Sequence, residues 1–434
     1  MMPLWIVCGY LLLLVALGVF SARFFRGTSS DFFVASRSIG PFLLLMSLFG
    51  TTMTGFALIG STAESYSAGI GVYALMASWS GLIHSACFFA IGIKLWAVGK
   101  RYGYVTQCQY FSDRFDSPAF GYLLFPVLVV LIIPYLLVGL IAAGAAISAL
   151  TGPIGPRPGY FPELFTETGG AIPKWLSHMV IACVVLIYVF LGGVRSTAWA
   201  NTFQTIVFML TGLLTITLIA KALGGVSAAS ESVAKVMPER LAREGQIGHL
   251  QFLTYAFIPL DSQFMCLSTM FSNDIFLRLR GKAKVTDKQL LWVGRWFVIA
   301  VVLVTYPLSL VPLPVNVFEL GVWCFSGFGS LFPIVFAAVY WKRVTKAGAI
   351  AALLTTSLVW ASLLCYDLTV YKHASHGEDF LLAGMMPVAA LFATCLITLV
   401  VVSLLTSPPS QTTINKFFPN HKELAGKAAA PANP

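Results

Sequence analysis

Long runs of apolar residues, almost free of charge and separated by short polar connections, fill this chain from its first residues to about position 406. The pattern predicts membrane-crossing helices over 2–22, 38–63, 75–98, 119–148, 176–194, 201–222, 248–270, 290–311, 314–340, 346–366 and 382–406. Each run matches the roughly 20 residues that an α-helix needs to cross about 30 Å of hydrocarbon. The runs are too long and continuous for barrel strands, and only helices satisfy every backbone group within one segment in lipid. The expected fold class is therefore all-α, a polytopic membrane helix bundle. Residues 1–406 form a single transmembrane domain, and the polar, Pro-, Ala- and Lys-containing stretch 407–434 is expected to be a disordered cytoplasmic tail.

Basic residues fall in alternate connections. Arg23, Arg26 and Arg37 lie in one, Lys100, Arg101 and Arg114 in the next of that side, and Arg195 in the third. Arg278, Arg280, Lys282, Lys284 and Lys288 follow, then Lys342, Arg343 and Lys346. Facing connections hold few basic residues, except 223–247, where Lys235, Arg240 and Arg243 are offset by Glu231, Glu239 and Glu244. The positive-inside rule then predicts a multi-pass protein of the cell (inner or plasma) membrane with its N-terminus outside and its C-terminus inside. Positive charge follows the first apolar run instead of preceding it, which predicts a retained helix, not a cleaved signal.

Composition narrows the function classes. Of 434 residues, 58% are hydrophobic and 10% charged, with a mean hydropathy of +0.85. The formal charge of +10 is read as topology, not as a nucleic-acid footprint. No HExxH, GxSxG, P-loop or glycine-rich dinucleotide motif is present, so an enzyme is not expected, nor is a cofactor. Most of the eight cysteines sit inside apolar runs without ligand spacing, as small hydrophobes do.

Unevenness within the runs marks candidate chemistry. Residues 47–60, SLFGTTMTGFALIG, combine Gly50, Gly55 and Gly60 with Thr51, Thr52 and Thr54. One reading is a broken helix whose freed carbonyls face a cation; the other is a close-packed small-residue helix contact. Pro134 in the fourth run predicts a kink or break, with Tyr135 beside it as a cavity candidate. His84 and His178 are read as interhelical hydrogen-bonding groups before proton relays. Glu64 and Tyr66 end the second run, and Glu319 begins the ninth, where a hydrated helix end accounts for it. The proline-rich segment 149–175 is read as a connector or a lid, the connector first.

Five segments then carry a resemblance: SDFFVASRSIGPFLLLMSLFGTTMTGFALIG (30–60), KRYGYVTQCQYFSDRFDSP (100–118), GGVRSTAWANTFQTIVF (192–208), DSQFMCLSTMFSNDIFLRLRGK (261–282) and FPIVFAAVYWKRVTKAGAIAA (332–352). Together they resemble the sodium/solute symporter family, which includes proline, pantothenate and sodium/glucose carriers. The resemblance implies two inverted five-helix repeats, with one helix before them and two after, and sodium-driven uptake of a small organic solute by alternating access. Sodium is the coupling ion, and solute, sodium and lipid are the only partners expected, with no obligate protein partner and no nucleic acid. It implies sodium contact by the backbone carbonyls of Gly50 and Met53, and a solute pocket drawn from Thr51, Thr52, Thr54, Tyr135, Asn201 and Gln204.

Departures from the family pattern are as informative. Ile258 and Pro259 stand where relatives place a Ser/Thr pair ahead of Asp261, Ser262 and Gln263, and neither supplies a side-chain oxygen. The stretch 248–260 resembles the start of the sixth core helix, and 261–282 the end of the eighth, so 251–276 reads as two half-helices fused at 260/261, leaving about eleven spans. Asn201 replaces a frequent Asp, and Gly139 a frequent Gln, there enlarging a pocket or tightening packing. Two readings stay open: a sodium-coupled symporter of altered architecture, or a truncated or degenerate relative that inserts without transporting.

Overall fold

The computed structural model describes residues 2–52, 54–71, 82–83, 85–241, 270–277, 285–375 and 379–418. The secondary structure of those residues is helical, with no strand beyond two isolated bridges, Ile154 with Arg157 and Leu382 with Met385. In chain order the helices are α1 (Met2–Ala22), α2 (Ser29–Val34), α3 (Pro41–Thr52), α4 (Ser61–Ala68), α5 (Ile93–Tyr102), α6 (Gln107–Arg114), α7 (Pro118–Thr151) and α8 (Lys174–Ala222). They continue as α9 (Val226–Val236), α10 (Asp287–Leu310), α11 (Val317–Ser330), α12 (Phe332–Tyr340), α13 (Lys346–Tyr366), α14 (Pro387–Leu405) and α15 (Gln411–Phe417). Among the described residues, seven helices are long and apolar enough to cross a bilayer, or eight if the pair Ser29–Arg37 and Pro41–Thr51, bent by 107°, is one span.

Large apolar side chains remain on the outside of the bundle, among them Trp5, Leu12, Leu213, Leu303, Leu358 and Leu405. In water such a surface would drive association, whereas lipid tails solvate it. The interior is packed around α7, α11, α13 and α14, with Phe120, Leu131, Trp323, Leu353, Trp360 and Leu391 buried in one cluster.

Helix ends follow local chemistry. Thr286 and Gln289 form a capping box at α10, Asn316 and Glu319 another at α11, and Thr345 accepts from the Gly348 N–H at α13. The 49 residues of α8 are two helical legs joined at Gly193, where φ is 55° and ψ −140°. A Cβ at that position would also strike the Phe32 backbone, so glycine is required twice over. The two legs correspond to the expected runs 176–194 and 201–222.

Several expectations need correction. Pro134 does not break its span: α7 runs 34 residues through Pro126 and Pro134. Neighbouring helices bury Pro134, and such packing tolerates a lost backbone bond inside a membrane protein. The segment 407–434 is not wholly irregular, because α15 forms and docks. Tyr102 donates to the Lys416 carbonyl at 3.0 Å, and Lys416 pairs with Asp113 at 2.5 Å. Residues 149–175 fold back as a compact connector, with the Gly159 N–H on Gly169 O at 2.9 Å and the Tyr160 N–H on Thr151 O at 3.0 Å. Residues 251–269, His84 and most of the expected run 248–270 lie outside the described residues.

Candidate functional site

The second apolar run is not one regular helix. α3 ends at Thr52, a wide π turn spans Phe56–Gly60, and α4 continues from Ser61. Ending a helix frees the carbonyls of its last turn, which here include those of Gly50 and Thr51. The Tyr135 hydroxyl, from α7, donates to the Thr51 carbonyl at 3.5 Å. Thr54 Oγ1, just past the break, is buried and has no hydrogen-bond partner among the described residues. Met53 lies outside them, as does the Thr52 side chain.

α8 closes the other side. Asn201 Nδ2 donates to Thr51 Oγ1 at 3.1 Å and to the Ser47 carbonyl at 3.5 Å, while Thr51 Oγ1 itself donates to Ser47 O at 2.8 Å. One turn along, Thr205 Oγ1 lies 3.0 Å from the Met46 carbonyl and 2.7 Å from the Asn201 carbonyl. Gly50 permits this approach: a Cβ there would stand 2.5 Å from Thr205 Oγ1 and 2.7 Å from the Asn201 carbonyl oxygen. The segment 47–60 thus carries both the break of one reading and the small-residue contact of the other. Aromatic rings floor the cluster, with Tyr135 5.4 Å from Phe325 and Phe325 4.9 Å from Phe56.

The structure thus brings Gly50, Thr51, Asn201 and Tyr135 together, with Thr54 beside them. It turns Gln204 away, into a side-chain hydrogen bond with Tyr10 on α1. Adjacent residues of a helix point about 100° apart, so Thr205 faces α3 while its neighbour Gln204 faces α1, two of the helices that α8 contacts. Ser47 and Thr205 were missed; each sits four residues from a candidate, on the same helix face, which was the available signal. Gly139 has nothing within 4 Å of an added Cβ, so it is open space and not tight packing. His178 is held by Ser309 Oγ at 2.9 Å, while its Nε2 has no partner among the described residues.

Among the described residues, no charged side chain enters this cluster. It presents hydroxyl, amide and backbone oxygen atoms against apolar rings, a set that can strip water from a hard monovalent cation and hold a small polar solute. Thr51→Val keeps the shape and removes the acceptor for Asn201. It is expected to lower thermal stability by about 1 kcal/mol, and Thr51→Ser is expected to restore it, read by melting of purified protein.

Below the cluster, Arg195 pins the connection between α1 and α3. Its Nη2 reaches Asp31 Oδ1 at 2.6 Å, Ser38 Oγ at 2.9 Å and the Ala35 carbonyl at 3.1 Å. The Arg26 N–H and the Ser36 hydroxyl complete the shell of the buried Asp31. Burial alone would raise the Asp31 carboxyl, but hydrogen bonds from Arg195, Arg26 and Ser36 together hold it below the ordinary carboxylate range.

Comparison with known proteins fits this arrangement. The pattern describing the sodium:solute symporter family matches residues 32–153, 165–258 and 253–356. An osmoregulated proline transporter of Bacillus subtilis (strain 168) is 27% identical over 172 residues, 39% of this chain and 32% of that protein. A sodium/proline symporter of Staphylococcus aureus is 29% identical over 163 residues, 36% of this chain and 30% of that protein. The chain thus aligns with about a third of the length of these curated relatives. A solved Na+-coupled sialic acid symporter, substrate-bound and outward-open, superposes with a TM-score of 0.71 at 13% identity, covering 95% of this chain and 99% of that one. That likeness concerns the fold.

Proposed function

Because this chain belongs to the sodium:solute symporter family, we propose that it carries a small organic solute across the cell membrane together with sodium, by alternating access. The observation that carries this reading is the interruption of the second span after Thr52, where Thr51, Tyr135 and Asn201 meet through hydrogen bonds. Carbonyls of the last turn of α3, with the Thr54 hydroxyl that has no partner among the described residues, supply oxygen atoms of the kind sodium takes. We assign Gly50 and Met53 to the ion through their carbonyls, and Thr51, Thr52, Thr54, Tyr135 and Asn201 to the solute side. Gln204 acts through Tyr10 on α1, as a positioning residue.

Eleven spans in a five-plus-five repeat, N-terminus outside and C-terminus inside, remain the proposed topology. The positive charge near Arg26, Arg195 and Lys342 supports it. The solute is small, with polar groups and an apolar face, because the described residues of the cluster are amide, hydroxyl and aromatic groups. Proline heads the panel to be tried, since the relatives above are named for it.

A second reading has its own support. Ile258 and Pro259 offer no side-chain oxygen at the family's paired hydroxyl positions. The second and third matched segments overlap at 253–258, which supports a junction in that stretch. On that reading the chain inserts without cycling. Equilibrium binding of panel solutes to purified protein, with sodium against choline, separates the two. Sodium-dependent binding that Asn201→Ala weakens roughly tenfold supports the symporter. Binding that ignores sodium, or appears only after a family-like segment is restored between Leu260 and Asp261, supports the degenerate relative.

A further inference from the structure

A second polar site lies apart from the α3–α8 cluster, at the Val317 end of α11. There a cavity of about 30 Å³ is lined by Glu319, Trp323, Ser326, Asp367, Lys372 and Asp379, with apolar neighbours. Roughly 10–15 Å³ measured this way accommodates one water-sized occupant. Trp323 and Ser326 are one turn apart on α11 and so face the same way. Trp323 Nε1 donates to Asp367 Oδ2 at 2.8 Å, which fixes that carboxylate against this face. Trp360 Nε1, in turn, donates to the Trp323 carbonyl at 2.9 Å.

Two oxygen atoms are left over. Asp367 Oδ1 and Ser326 Oγ are buried and have no hydrogen-bond partner among the described residues, in side chains of residues 1% and 0% exposed. A buried carboxylate oxygen without a donor or a cation is costly. The nearby ammonium of Lys372 is engaged elsewhere, donating to Glu319 Oε1 at 2.9 Å. Glu319, which caps the start of α11 as a helix-end residue, is also the partner of this buried lysine. Around the cavity three carboxylates, Glu319, Asp367 and Asp379, face one lysine. A fourth, Glu64, lies past the end of the second apolar run; burial, then Asp379 and Glu319, push it up to about 7. Among the described residues, carboxyl groups around the cavity outnumber its one lysine.

We propose that this cavity binds one monovalent hard cation of sodium size through Asp367 Oδ1 and Ser326 Oγ, beside Glu319 and Asp379. Every available ligand atom is oxygen, which selects a hard ion. Among the described residues no three His, Cys, Asp or Glu side chains converge as a divalent metal would require, which sets the charge class. A proton on Asp367 would answer the charge but leave the cavity unfilled. The ion would tie the Asp367–Tyr371 turn to α11, clamping the segment after α13 onto the helix that floors the solute cluster.

The test is a sodium titration of the purified full-length protein against choline at constant ionic strength, reading tryptophan fluorescence and melting temperature together. A saturable sodium effect is expected in both signals, the fluorescence part lost in Trp323→Phe. Ser326→Ala, which leaves every charge in place, is expected to weaken the midpoint of the Trp323-dependent fluorescence change roughly tenfold or more, and Asp367→Asn to abolish that change. A response unchanged by Ser326→Ala and Asp367→Asn overturns the assignment, since any sodium bound at α3 would persist in both. A response that follows pH and not the cation also overturns it, in favour of a proton. Because both signals are read without solute or gradient, the outcome is independent of whether the protein transports.

Discussion

Gly50→Ala is expected to cost about 2 kcal/mol of stability and to remove most sodium-driven uptake. The added methyl must enter a gap where Thr205 Oγ1 would be 2.5 Å away and the Asn201 carbonyl oxygen 2.7 Å away. A flexible side-chain end could move aside, but the second obstacle is helix backbone, so α3 and α8 must separate. Separation stretches the Asn201–Thr51 hydrogen bond, already 3.1 Å, and shifts the last turn of α3 whose carbonyls face the proposed ion. Thr205→Ala in the same chain removes only the hydroxyl obstacle, so it should recover stability in part and uptake hardly at all. Uptake retained at wild-type level in Gly50→Ala would show that the α3–α8 contact does not shape the site.

The other large effect is expected at Arg195→Gln. Asp31 is fully buried, and removing its cation leaves an unpaired buried carboxylate, a loss of about 3–5 kcal/mol. The same guanidinium holds the Ala35 carbonyl at the start of a run in which Ala35, Ser36 and Arg37 all have left-handed φ, at 48°, 51° and 55°. Such residues cost roughly 1–2 kcal/mol each and persist only where contacts over-determine them. Asp31→Asn keeps the shape and loses the charge, so it should be milder than Arg195→Gln. The pH dependence has a definite sign. A carboxyl depressed in the folded state contributes stability above its ordinary value, about 4, and loses it as pH falls through the folded value. Melting curves of purified protein should therefore fall together with acid in the parent chain and lack that component in Asp31→Asn.

Much of the bundle was legible because lipid imposes one rule on every residue facing it. The expected runs 2–22, 119–148, 346–366 and 382–406 match α1, α7, α13 and α14 to within about five residues. The break allowed for at Pro134 does not occur, and Pro134 is buried within one continuous helix. Of the cluster, Thr51 stood out as a small polar residue inside an apolar run, Tyr135 by its place beside Pro134 and Asn201 only through the resemblance, whereas the Gln204 contact was hidden because its partner Tyr10 lies on a helix far away in sequence. The lysine partner of Glu319 was hidden for the same reason: it is 53 residues on, beyond any local pattern. Asp367 gave no signal, because a carboxylate at the end of an apolar run looks solvated until Trp323 is seen against it.

The most direct test is the initial rate of proline-panel uptake by the chain as given, reconstituted in liposomes with sodium outside and potassium within, against potassium on both sides. Accumulation above the external concentration, only with the inward sodium gradient and lost in Asn201→Ala, is the predicted result. Silence from this chain, with accumulation by one carrying a restored segment between Leu260 and Asp261, would contradict it.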